Sequence, residues 1–275
     1  MQDDHGNFIR DIGDSQTMFA SHIDTADRAK TRVRRVVQGD YIMTDKATLL
    51  GADDRAGMAV MLHLMRNNIP GKYVFFVGEE AGRVGSVFAE RGGISDKMER
   101  IICWDRFGTK SIVTHQMGQR SCSDEFAFSL AEAYAKQGMT LELDEGGTYT
   151  DSYTFIDTVP ECTNISIGYF GQHTVNEVQD ARFLVDMAEA SLGVPWDALP
   201  TQRDPYVPDP IDKWDFYTSN YQAAKHASIS DMTSDDLIQA AQWGTLLRSD
   251  VENFLFENPE EAATLLYDTL TGGIQ

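Results

Sequence analysis

Two pairs of adjacent acids, Asp53-Asp54 and Glu79-Glu80, flank a stretch that reads as loop, helix, turn, strand and loop between Thr48 and Ser86. Carboxylates gathered in a cleft must be paired, protonated or bound to a cation. His22 with Asp24, Asp105 and His173 add imidazole and further carboxylate. Together these residues offer one candidate for every role in a hydrolytic site with two divalent ions. Asp53 is the candidate bridge. His22 and Asp105 are candidates to complete one metal, and Glu80 and His173 the other. Glu79, beside a ligand but not itself one, is the candidate base that takes a proton from water. Asp24, two residues after His22, is the candidate to hold the second N–H of that imidazole. Imidazole among carboxylates suits zinc first, with cobalt or manganese as alternatives.

These residues are scattered over some 150 positions. They meet only if successive strands end at one rim. Thr17 to Ile23 alternates as a strand ending at His22 and Asp24. From Arg55 to Arg66 apolar residues recur at helical spacing, Val60 with Leu64 and Met61 with Met65. Pro70-Gly71 stops that helix. Lys72 to Val77 is a continuous apolar run, suited to a strand buried on both faces. Gly85 to Arg91 predicts a helix, Arg100 to Trp104 a strand with Asp105 directly after it, and Ser111 to Thr114 another strand. Ser123 can cap a helix reaching Gln137, on which Phe126, Leu130, Ala133 and Tyr134 share a face. Thr163 to Ile167 predicts a strand before the loop of His173, and residues 180 to 192 a helix. Shorter strands are expected at Phe8-Ile9, Tyr41 to Met43 and Thr48 to Leu50, with a turn from Asp11 to Gln16. The alternation with short connections predicts an α/β fold: a mostly parallel central sheet with helices on both faces. Ligands bind such sheets beyond the carboxyl ends of the strands.

The formal net charge of −20 argues against nucleic acid and anionic membranes as partners. No apolar run is long enough to predict a transmembrane helix. The start, MQDDHGNFIRDIGDSQ, shows no apolar leader core, and Cys103, Cys122 and Cys162 show no CxxC spacing. A reduced, cytoplasmic setting is expected. Residues 25 to 40 are basic, with Arg28, Lys30, Arg32, Arg34 and Arg35, and read as a solvated loop or strand edge. Five of the eight prolines fall between Pro195 and Pro210. Composition thus divides the chain into a catalytic-type domain (1–194), a Pro-rich linker (195–212) and an acidic helical extension (213–275). Asn258-Pro259-Glu260-Glu261 in the last part is a helix start. The extension reads as a helical cover or a surface for a homo-oligomer.

Ser21-His22-Ile23-Asp24-Thr25, Gly51-Ala52-Asp53-Asp54-Arg55-Ala56-Gly57, Gly78-Glu79-Glu80, Trp104-Asp105 and His173 resemble, in order and spacing, the co-catalytic zinc exopeptidases. That superfamily includes bacterial leucyl and aminopeptidase Y type enzymes, glutamyl aminopeptidases, and carboxypeptidase and aminoacylase relatives. The resemblance covers roughly residues 5 to 192. It implies a cis peptide between Asp53 and Asp54. It also implies an aminopeptidase, because the last ligand of the His22 metal is Asp105 rather than Glu. The short span from Asp105 to His173 leaves no room for an inserted domain, which points to the single-domain aminopeptidase Y-like branch. The expected substrate is a peptide or small amide. An amidase or deacylase, and a non-catalytic metal-stabilised binding or assembly protein, are the other readings.

Outside this set, single residues read as structural. His115 also ends a strand and competes with His173 as a ligand, although a satisfied histidine near the cleft is its ordinary role. His63, mid-helix among Met and Leu, reads as packing, and Met58 to Met65 as core. His5 and His226 show no partner in the sequence. Arg106 and Arg120 suit a substrate carboxylate or ordinary ion pairs. Thr150-Asp151-Ser152 reads as a supporting segment near the site.

Overall fold

A computed structural model describes residues 1–26 and 32–207. The helical extension expected over 213–275, with His226, lies outside the described residues, as do Arg28 and Lys30. In chain order the elements are β1 (Phe8–Ile12), β2 (Thr17–His22), β3 (Arg35–Gln38), β4 (Tyr41–Thr44), α1 (Ala52–Arg66), β5 (Gly71–Phe76), α2 (Val84–Arg91), β6 (Arg100–Arg106) and β7 (Ser111–Val113). There follow β8 (His115–Gln116), β9 (Gln119–Arg120), α3 (Asp124–Lys136), β10 (Glu142–Asp144) and a 3-10 turn at Asp151–Phe155. The last elements are β11 (Glu161–Ser166), β12 (Tyr169–Phe170), β13 (Val178–Asp180), α4 (Ala181–Leu192) and a 3-10 turn at Trp196–Ala198.

Seven strands form the central sheet in the order β1-β5-β2-β6-β11-β7-β10. Its middle, β5-β2-β6-β11, is parallel. β1 pairs antiparallel with β5, and β7 meets β11 antiparallel. β2 and β11 are buried along their whole lengths, because helices cover both faces. On one face Phe19, Trp104 and Ile102 pack with Val60 and Leu64 of α1, Leu130 and Tyr134 of α3 and Met187 of α4. On the other, Met18, Val74 and Phe76 pack with Ala89 of α2 and Phe155. Ser123 caps α3 by accepting from the Phe126 N–H, and Asp180 caps α4 by accepting from the Phe183 N–H. A smaller sheet, β12-β13-β4-β3, carries the exposed edge strand β3, which is what the basic segment becomes at Arg35–Gln38.

Several expectations need correction. Thr48 to Leu50 forms no strand; the Thr44 hydroxyl donates to the Thr48 carbonyl and closes a loop there. β1 runs on to Ile12, into the expected turn, because its pairing with β5 continues to Gly71. β6 runs past Trp104, so Asp105 lies within the strand rather than after it. The cause is Asn164 on β11, whose side chain accepts from the Asp105 N–H at 2.7 Å and donates to the Asp105 carbonyl at 2.8 Å. Val194, Trp196 and Leu199 are buried, so the first part of the Pro-rich stretch packs into the fold. Among the described residues no helix is long and apolar enough to cross a membrane.

Candidate metal centre

The parallel strands deliver polar residues to one rim. His22 closes β2, Asp105 sits near the end of β6, and Glu79-Glu80 follow β5. Asp53 lies at the start of α1 and His173 in the loop between β12 and β13. The first turn of α1 is irregular: Asp53 and Asp54 have non-helical backbones and the peptide between them is cis. Asp54 is turned inward, accepting the Gly57 N–H at 2.9 Å and the Ser21 hydroxyl. A Cβ at Gly57 would stand 2.5 Å from Asp54 Oδ1 and 2.8 Å from the Trp104 carbonyl. Only glycine lets the helix lie this close to β6.

Each imidazole presents one nitrogen to two carboxylates. His22 Nε2 lies 2.9 Å from Asp53 Oδ1 and 3.8 Å from Asp105 Oδ1. His173 Nε2 lies 3.1 Å from Asp53 Oδ2 and 3.0 Å from Glu80 Oε1. Asp53 therefore stands between the two histidines, one on each oxygen. A single ring N–H serves one acceptor well, and Glu80 Oε1 is left buried without a well-formed hydrogen bond. A cation held between an imidazole and two carboxylates would satisfy all of them. Ligand atoms of His22, Asp53 and Glu80 lie within 4.8 Å of one another, as do those of His22, Asp54 and Asp105. The donor types and their spacing fit divalent ions of the zinc, cobalt or manganese kind.

Supporting groups hold this set in place. His22 Nδ1 faces the backbone carbonyl of Asp24 at 3.1 Å, with the Asp24 carboxylate at 3.5 Å. The carboxylate itself accepts the N–H groups of Glu79 and Glu80, each at 3.2 Å, and so fixes the turn that carries both. Glu177, only 2% exposed, accepts the N–H groups of Gly51 at 2.7 Å and Asp53 at 3.0 Å. Tyr169 donates its hydroxyl to Asp105 Oδ1 at 3.0 Å. Sequence reasoning missed the roles of Glu177 and Tyr169. The first had one signal, its place in the same loop as His173; the second had none.

The electrostatics are those of crowded acids around two imidazoles. Burial opposes the charged form of His22, but hydrogen bonds to Asp105, Asp24 and Asp53 outweigh it and raise its pKa well above the usual value. The hydrogen bond to Asp53, against partial burial, lifts His173 to about 9. Burial also opposes the Asp53 carboxylate, yet hydrogen bonds from His173 and His22 hold it well below the usual range. Burial and the charge of Asp105 push Glu79 up to about 9, with Asp151 and Glu80 adding to the shift. Burial likewise raises Glu80, Asp105 and Asp54. Asp151, 2% exposed, has no well-formed hydrogen bond at either oxygen, and burial takes it to about 7.

The other candidates stand elsewhere. His115 Nδ1 lies 3.0 Å from the Thr114 hydroxyl, whereas His173 Nε2 lies against Asp53 and Glu80. His63 packs mid-helix, with its Nε2 3.3 Å from the Glu189 carboxylate of α4 but in no well-formed hydrogen bond. His5 has a partner after all, stacking on Phe88 at 4.7 Å between ring centroids.

No protein-family model matches the chain. Over 101 residues, 33% of this chain, it is 38% identical to an uncharacterized protein, YqjE, of Bacillus subtilis (strain 168). That match spans 27% of the relative's length. Solved structures of similar fold include the aminopeptidase PepT of Bacillus cereus ATCC 10987, 18% identical with a TM-score of 0.59, covering 70% of this chain and 84% of that one. A tripeptidase of Staphylococcus aureus subsp. aureus Mu50 is 17% identical with a TM-score of 0.56, covering 69% and 83%. The chain shares the fold of these solved peptidases. The TET1 peptidase of Pyrococcus horikoshii, described as assembling into a tetrahedron or a large octahedral shell, is 15% identical with a TM-score of 0.56, covering 72% and 89%.

Proposed function

We propose that the chain is a metal-dependent hydrolase that cleaves peptide bonds, an aminopeptidase of the single-domain aminopeptidase Y-like kind. The observation that carries this reading is Asp53 set between His22 and His173, one imidazole on each carboxylate oxygen. In it, His22, Asp53 and Asp105 hold one divalent ion, and His173, Asp53 and Glu80 hold a second, zinc in first place. When bound, such ions supply Lewis acidity toward a scissile carbonyl and toward water. Glu79 takes a proton from water and passes it to the leaving amine. Its pKa of about 9 belongs to the metal-free protein; cations beside it favour its charged form and bring it toward the range of a working base. Asp24 holds the Glu79-Glu80 turn by two backbone amides, and Glu177 holds the Asp53 loop by two more. A homo-oligomer belongs to this reading, in line with the assemblies described for the TET1 peptidase.

The test is Glu79→Gln. Metal content measured by mass spectrometry should stay at the wild-type level. Hydrolysis of aminoacyl-anilides should fall by about 10²–10⁴-fold, the usual contribution of a general base. Undiminished hydrolysis would remove Glu79 from the mechanism, and a metal-loaded wild type inert on every peptide would remove the peptidase reading itself.

A further inference from the structure

Among the acids at this rim, positive side chains decide which charges a ligand can carry. Arg106 is engaged by Asp144 Oδ2 and the Gly146 carbonyl, both at 3.0 Å. Arg120 is engaged by Asp124 at 2.8 Å. Arg55 folds back on the Gly51 carbonyl at 2.9 Å and the Leu50 carbonyl at 3.4 Å. Arg83 differs from all three. It lies on the same turn as the acidic pair, its N–H donating to the Glu79 carbonyl at 2.8 Å. Its guanidinium stands 4.9 Å from the ring centroids of both Tyr149 and Tyr153. The two rings meet edge-on, 5.1 Å apart at 84°, so they form a corner around it. Nη1 donates to the Thr154 hydroxyl at 3.0 Å. Among the described residues no carboxylate pairs with Arg83, and Tyr149 is 44% exposed, so the corner opens to solvent.

Two rings at right angles and one hydrogen bond fix a side chain that otherwise loses much freedom on binding. The guanidinium fork matches a carboxylate in shape as well as charge. Cation–π contacts steady the cation without neutralising it. The whole assembly is carried by the turn that presents Glu79 and by the segment that leads to Asp151.

We propose that Arg83, seated in the corner of Tyr149 and Tyr153, is an anion subsite that holds a carboxylate of the substrate. The centre then prefers peptides carrying a free carboxylate near the scissile bond. This deepens the peptidase reading and rests on it, but the subsite is tested by binding and not by turnover alone. The carboxylate comes from the C-terminus of a short peptide or from an acidic side chain, and the experiment separates the two.

Calorimetric titration of the chelator-treated full chain would use leucyl-leucine, leucyl-leucinamide and leucyl-glutamyl-amide. Wild type should bind one of the two carboxylate peptides at least about tenfold more tightly than leucyl-leucinamide, and Arg83→Gln should erase that difference. Loss confined to leucyl-leucine assigns the C-terminus, and loss confined to leucyl-glutamyl-amide assigns the side chain. Arg83→Lys keeps charge without the fork and should restore part of the preference; it also carries the test if the glutamine variant misfolds. Equal binding of all three peptides by wild type, or an equal effect of both substitutions on all three, overturns the subsite. A zinc-loaded wild type that shows the binding preference but cleaves nothing would leave the subsite standing and remove the peptidase.

Discussion

The two ends of the parallel strands treat buried charge in opposite ways. At the amino end, Glu161 opens β11 with no exposure. It accepts from the Ser123 N–H at 2.7 Å, the Ser123 hydroxyl at 2.9 Å, the Gln202 N–H at 2.7 Å and the Arg203 N–H at 3.1 Å. Arg203 donates to the carbonyls of Pro160, Ile156 and Val159. Arg100, opening β6, donates Nη2 to the Leu199 carbonyl and to the Thr201 hydroxyl at 2.8 Å, with the Glu99 carboxylate 3.1 Å away as an ion pair and its Nε buried without a hydrogen bond. At the carboxyl end acceptors outnumber donors. Glu80 Oε1 and both oxygens of Asp151 are buried without a well-formed hydrogen bond, and five carboxyl groups, Asp151 among them, have raised pKa values through burial and one another. Saturated charge marks a part whose role is to hold the chain together. Unsaturated charge of one sign is the arrangement the proposed cation site would use.

This contrast can be broken at either end. Glu161→Ala strips the acceptor from four donors, the two of Ser123 buried and those of Gln202 and Arg203 half-buried, and should lower stability by about 3–5 kcal/mol in urea unfolding, because the Ser123 donors remain buried. A loss below about 1 kcal/mol would mean that the amino end is no clamp. Glu177→Gln should weaken metal binding by about 10–100-fold in competition with a chelator, the usual effect of losing a group that orients a ligand. Unfolding should change little beside it, and unchanged metal affinity would relegate Glu177 to plain loop structure.

Acidity sharpens the comparison with a smaller effect. In metal-free protein Glu79 at about 9, Asp151 at about 7 and His173 at about 9 all lie above their unfolded values. The folded state therefore binds more protons than the unfolded one, and stability falls as pH rises. The carboxyls lose ground from near pH 4 upward, and the histidine from near 6.5 to about 9. Asp53 runs the other way, but only below the ordinary carboxylate range. The Tm of chelator-treated protein should drop by several degrees between pH 6 and pH 9, and zinc should remove most of the drop. A flat profile without metal would show that the acids are not crowded in solution.

The parallel core was readable in part: β5 leaves an uninterrupted apolar run and β6 the run Ile101 to Trp104, β2 shows by alternation, and β11, buried but rich in Thr, Asn and Ser, only from Thr163 to Ile167. Most of the candidate ligands stand at or near strand ends, His22 on β2, Glu80 after β5 and Asp105 on β6, while Asp53 sits in the first turn of α1 and His173 in the loop between β12 and β13. What escaped depends on contacts between distant residues. Asp105 falls inside β6 because Asn164 holds it there. The Asp24 carboxylate serves the Glu79-Glu80 turn more directly than the imidazole. Residues 195–212 look like a linker by proline content, yet Trp196 meets Phe19 and Trp104 edge-on in the core. Composition records what a segment is made of, not what it lands on.

The short loop between β12 and β13 grips Asp53 from both sides, by the His173 ring on its carboxylate and by Glu177 on its own amide. Its length is therefore as constrained as its chemistry. One residue added between positions 174 and 176 would part the imidazole from the brace while every apolar contact beneath survived. Under the proposed reading, such an insertion would keep the fold and take apart the metal centre.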